Sequence, residues 1–189
     1  MSWSPHISSV VHKAHQCLGF IHRNLRGSPF KYREIAYQSL VRSQLEYCST
    51  IWDPTLKCDQ TKHEQIQRKA ARWARGKYGI ISVTSLLRDL GWADLADRRR
   101  NLRIILLYRI IHNLLAVPPD SVDIKRATRP PRGSKNPQNL QRPRARDKAS
   151  PLWHCTVFRT IPDWNNLPAS VAEADSLPVF RSRLAAPKP

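Results

Sequence analysis

PHISSVVHKAHQCLGFIHRNL, residues 5–25, sets the class of fold. Its apolar residues Ile7, Val10, Val11, Ala14, Leu18, Ile21 and Leu25 recur at steps of three and four, which places them on one side of a 3.6-residue helix. Pro5 suits the first helical turn, where its missing N–H costs nothing, and Gly27 stands where a C-terminal cap is expected. The same spacing continues downstream. Ser28-Pro29 offers a cap and a first helical proline for a second helix, with Ile35, Ala36, Leu40, Val41 and Leu45 as its stripe, fraying near Tyr47 before a Trp52-Asp53-Pro54 turn. Asp59 or Thr61 can cap a third helix through Ile66, Ala70, Ala71 and Ala74, ended by Gly76 and Gly79.

Ser82 caps a short fourth helix through Leu86, Leu87 and Leu90, closed by Gly91. The longest helix is expected from about Asp94 to Leu115; its middle is apolar nearly all round, the mark of a buried element, and Pro118-Pro119 stops it. Residues 118–149 are rich in proline and carry nine basic side chains. Such a stretch buries too little apolar area to offset its ordering entropy, so a flexible linker is expected. Residues 150–189 regain apolar character in LWHCTVFRTIPDWNNLP and in a helix around Leu177 to Leu184, but are too short to hold a core alone. The expected fold is mainly α: a helical bundle of about five helices over 1–117, a basic linker over 118–149, and a small C-terminal helical element over 150–189 that docks on the body.

Lys and Arg number 32 against 14 acids, a formal charge of +18. A field of that sign favours a polyanionic partner, and nucleic acid comes first. Residues 61–117 hold twelve basic and four acidic side chains, residues 150–189 only four and three, so the middle of the chain is the expected phosphate-binding part. Cys17, Cys48, Cys58 and Cys155 stand far apart, and MSWSPHIS lacks a charged n-region followed by an apolar one; an intracellular protein, nuclear or cytoplasmic and not secreted, is expected. Ile104 to Leu107 is the longest aliphatic stretch, far short of a membrane span of about 18 residues.

Several groupings of reactive side chains were weighed against plainer roles. LEYCSTIWDP, residues 45–54, crowds Glu46, Tyr47, Cys48, Trp52 and Asp53, yet carries no nucleophile signature; Leu45, Tyr47 and Trp52 are expected to pack, Cys48 to fill a small space, and Asp53-Pro54 to shape the turn. Trp92-Ala93-Asp94 in GWADLAD resembles the aromatic-x-Asp-Asp signature of polymerases, but two-metal chemistry needs adjacent carboxylates, and Leu95 stands where the second would be. A helix start, with Asp94 and Asp97 near the positive end of the dipole, is the expected role. Of His12, His15, Cys17, His22, Cys48, Cys58, His63, His154 and Cys155, His12-His15-Cys17 stand close together but lie on a helix where Cys17 points away from His12, so satisfied or solvent-facing histidines are expected rather than zinc.

The basic elements say more. Arg68, Arg72 and Arg75 share one side of the third helix, with Lys69 and Lys77 beside them, a face suited either to a sugar-phosphate backbone or to solvent. Arg98, Arg99, Arg100 and Arg103 sit near the start of the long helix, where its dipole disfavours cations, which points to an external anion or to acidic neighbours such as Asp94 and Asp97.

Taken in order, WSPHI (3–7), LVRSQLEYCSTIWDP (40–54), QRKAARWARG (67–76), SLLRDLGWADLADRRR (85–100), LYRIIHNL (107–114) and RTIPDWNNLPASV (159–171), with Phe180 in the helix that follows, resemble the reverse transcriptases of LINE-like, non-LTR retrotransposons of the jockey and related clades. The resemblance runs over most of the chain and implies the helical thumb and the region beyond the palm. The palm with its aromatic-x-Asp-Asp motif, its Mg2+ and the endonuclease fall outside it, so no catalytic residue or cofactor is carried over. It implies backbone contacts to RNA or DNA without base readout, and possible self-association through surface that faced the palm. Met1, inside the family's pattern, suggests a degraded element copy. The alternatives are a part of an intact, active polymerase and a domesticated helical interaction module.

Overall fold

The structure, a computed structural model, describes residues 3–79, 82–117, 124–128, 136–141 and 156–186. The described residues are mainly helical, as the periodicity predicts. They divide into two compact units between Arg99 and Arg100, rather than at residue 117.

In the first unit α1 spans Ser4–Asn24 and buries Ile7, Ala14, Leu18 and Ile21. Leu25, not Gly27, occupies its C-cap, and Gly27 is outside the left-handed region. α2 (Phe30–Ala36), a π-helical stretch (Tyr37–Arg42) and α3 (Ser43–Glu46) follow without a break. The buried stripe of this run is Tyr37, Val41 and Leu45; Ile35 and Leu40 are about half exposed, which corrects the expected stripe. A π turn shifts the carbonyl register, and side chains serve the displaced acceptors: Ser39 donates to the Ile35 carbonyl at 2.8 Å and Gln44 to that of Leu40 at 2.8 Å.

Cys48 is left-handed at φ 51° and exposed, and Tyr47 is 75% exposed, so neither packs as expected. Trp52 does, at the end of α4 (Ser49–Trp52), and its indole N–H donates to the Tyr47 carbonyl at 3.0 Å. α5 (Lys57–Arg75) has its N-cap at Leu56, three residues before the predicted cap Asp59. It ends on Gly76 at φ 63°, where the Gly76 N–H donates to Trp73 and the Lys77 N–H to Arg72, the 5→2 and 6→1 pair that satisfies orphan carbonyls. The same pair of bonds closes α6 (Val83–Asp89) at Gly91, and Ser82 caps its start as predicted.

A third such cap, on Asn113 at φ 52°, ends α7 (Leu95–Ile111) well before Pro118-Pro119. The asparagine tolerates the left-handed backbone, so proline is not what stops this helix. The core of the first unit gathers Ala14, Leu18, Tyr37, Val41, Ile66, Ala70, Trp92 and Leu95, with the Tyr37 ring stacked on Trp92 at 4.4 Å. The Tyr37 hydroxyl donates to Gln67 at 3.0 Å, and Gln67 donates to the Ala93 carbonyl at 3.0 Å, so this buried polar chain is satisfied at each step.

In the second unit Ile104, Leu107, Tyr108 and Ile110 pack with α8 (Thr156–Asn165), α9 (Ala169–Ala172) and α10 (Leu177–Ala185). Tyr108 stacks on Phe180 at 4.2 Å and donates to the Ala174 carbonyl at 2.8 Å. The expectation of a flexible linker does not hold for residues 124–128 and 136–141. Arg126 and Leu140 form an antiparallel bridge, Leu140 is buried, and the Asn165 amide brackets the Leu140 backbone, accepting from its N–H and donating to its carbonyl, each at 2.9 Å. Trp164 donates to the Gln138 carbonyl at 2.8 Å. The remaining residues of the expected linker, together with His154 and Cys155, lie outside the described residues.

Candidate nucleic-acid interface

The two longest stretches of the chain without a carboxylate are residues 1–33 and residues 65–88. The fold lays them together, because α1 packs along the length of α5. Ala70, Ala71 and Ala74 face Ala14, Leu18 and Ile21 in one core, and their small side chains let the helices approach closely. The basic residues flanking that core are thereby gathered on one surface with no acid from either stretch to neutralise them.

Between the helices lies a cleft of about 350 Å³, lined by His15, Leu18, Gly19, His22, Lys69, Arg72, Trp73 and Tyr78. Lys69 donates to His15 Nε2 at 3.3 Å, and His22 Nε2 is hydrogen-bonded to the Tyr78 hydroxyl at 3.2 Å. Among the described residues no carboxylate pairs with Arg68, Lys69, Arg72 or Lys77. These four predicted site residues are thus available to an external anion. Arg75 is engaged: it lies 3.5 Å from Glu34 and donates to the Asp89 carbonyl at 3.2 Å.

The second predicted basic cluster is engaged by acids of the chain itself. Arg98 pairs with Glu46, a bond that holds the arginine firmly charged. Arg99, 1% exposed, pairs with Asp53 at 2.9 Å, and Arg100 and Arg103 share Asp163 at 2.8 and 3.1 Å. The acids that answer this unfavourably placed cluster come from far along the chain, and no local pattern announces them. Asp94 and Asp97 are exposed, with Asp97 in the first turn of α7. It is Glu64, on α5, whose carboxylate accepts from the Ala96 N–H at 2.9 Å and so satisfies an orphan donor of this helix start. Burial pushes the Glu64 carboxyl up despite those amide bonds.

Metal chemistry finds no suitable donor set: among the described residues no three His, Cys, Asp or Glu side chains converge. His63, one of the weighed ligands, is fully buried, donates from Nδ1 to the Asp59 carbonyl at 3.1 Å and stacks on Trp52 at 5.3 Å. Burial, with Arg99 adding to it, pulls its imidazole down to about 4. Among the described residues no helix is long and apolar enough to cross a membrane.

Sequence reasoning named Arg68, Lys69, Arg72 and Lys77 but missed His15, Gly19, His22 and Tyr78. The two acid-free stretches were legible in the chain; that they adjoin was not. No protein-family model, curated protein or solved structure matches this chain.

Proposed function

We propose that this chain is a helical, thumb-like piece of a LINE-type RNA-directed DNA polymerase that lacks the catalytic palm and binds RNA or DNA through the backbone, without sequence preference. The observation that supports binding most directly is that the acid-free stretches 1–33 and 65–88 adjoin, and that Arg68, Lys69, Arg72 and Lys77 there have no carboxylate partner among the described residues. Cations so placed release condensed counterions when they meet phosphates, which makes affinity fall with salt. The retrotransposon assignment rests on the ordered motifs of the sequence. A chain of this kind performs no nucleotide transfer, since the carboxylates for it belong to the palm.

The test is binding of an RNA-DNA duplex across a salt series. Three phosphate contacts give a log-log slope of about −2 to −3, and a slope near zero, or no binding at low salt, refutes the phosphate clamp. Templated extension of an annealed primer by the purified chain would refute the inert reading. A second reading, self-association, is favoured by the exposed apolar side chains of Ile35, Leu40, Tyr47, Ile51 and Leu56 in the first unit. Sedimentation over a concentration series tests it, and a monomer throughout counts against it.

A further inference from the structure

We propose that the cleft between α1 and α5 takes one unpaired nucleotide of a single strand, with the base against its apolar floor and the adjoining phosphate on Lys69 and Arg72. This rests on the nucleic-acid reading above and goes beyond it, since a backbone clamp needs no cleft.

Three features point to a nucleotide. The cleft has a volume of about 350 Å³, the lower end of the range for small-molecule sites, which suits a base and sugar and excludes a duplex. Leu18 and Trp73 line it, and the Tyr78 ring, 65% exposed, stands beside them, oriented by its hydrogen bond to His22. An exposed ring next to cations is what accepts a base by stacking while its phosphate is held electrostatically. Lys69 and Arg72 supply that charge, and among the described residues no carboxylate lines the cleft to repel the phosphate.

Gly19 gives the third. It sits inside α1, where glycine costs about 1 kcal/mol relative to alanine. Local packing does not demand it: a Cβ there would meet only Arg23 Nη1, at an ordinary 3.5 Å, and its backbone is not left-handed. Gly19 lines the cleft, so a bulky side chain at this position would narrow it. Glycine keeps it open.

Gly19→Leu therefore fills the site and improves helix propensity, so the fold is retained. Anisotropy titrations of the full chain would use a labelled single-stranded oligonucleotide and a blunt RNA-DNA duplex of equal length at fixed salt. Gly19→Leu and Tyr78→Ala are each expected to weaken single-strand binding about ten-fold or more while changing duplex binding less than about two-fold. Equal single-strand affinity in wild type and Gly19→Leu, with duplex binding intact, overturns the nucleotide site alone. Absence of binding to either nucleic acid overturns the underlying nucleic-acid reading as well. A poly-glutamate peptide that binds as tightly as the single strand, and is equally sensitive to Gly19→Leu, assigns the cleft to an acidic peptide and also overturns the proposal.

Discussion

Acidification should destabilise the first unit through one side chain, His63. Its ring is fully buried, Nδ1 donates to the Asp59 carbonyl, and Nε2 has no hydrogen-bond partner among the described residues. Protonating Nε2 would bury a charge with no acceptor near the Arg99 guanidinium; Asp53 and Asp59 oppose this only in part. Burial pulls the folded imidazole down to about 4, against the ordinary 6.5 of histidine. Below 6.5 the unfolded chain binds a proton that the folded chain refuses, so stability is present above that pH and lost as pH falls toward 4. The full loss is about 3 kcal/mol, of which about 2 kcal/mol is gone by pH 5. His112, also lowered by burial, acts in the same direction, and Glu64, raised by burial, acts oppositely. Comparison with His63→Gln, which keeps an amide donor but cannot charge, removes both contributions. Urea denaturation followed by circular dichroism at pH 7.5 and pH 5 supplies the double difference. A wild-type loss that the variant shares in full refutes the reasoning.

Arg99→Met breaks the buried Arg99–Asp53 ion pair and should cost about 3 kcal/mol, read by urea denaturation; an unchanged midpoint refutes a structural role for the pair. Gly76→Ala and Gly91→Ala each force a side chain into the left-handed region, at a cost of about 1 kcal/mol. The Gly76 variant should melt lower of the two, because its Cβ meets the Phe30 ring at 3.2 Å whereas nothing lies within 4 Å at Gly91. Replacing Arg68, Lys69 and Arg72 with Gln should flatten the salt dependence of duplex binding by about 2 to 3 in log-log slope, and an unchanged slope moves the contact elsewhere.

The helices of the first unit were legible because amphipathic spacing and cap residues are local. Ile7 to Leu25, Ser82 with Leu86 and Leu87, and the glycines at 76 and 91 each announce an element or its end within a few positions. Where the reading failed, a local rule was overridden. Ile35 and Leu40 lost the inward face to Tyr37 and Val41 in a π-helical run, and Asn113 ended α7 before the prolines could. Asn136 and Leu140 were read as linker because their buried partners lie 25 or more positions on, in Trp164 and Asn165.

The candidate site divides along the same line. By itself the sequence determined a mainly helical, strongly basic chain and placed Arg68, Lys69, Arg72 and Lys77 among its cations, since charge and period are properties of the chain alone. Only the tertiary structure decided which cations remain available. It paired Arg98, Arg99, Arg100 and Arg103 with Glu46, Asp53 and Asp163, and it joined two acid-free stretches around a cleft at Gly19, because ion pairs and clefts depend on distances that sequence separation does not carry.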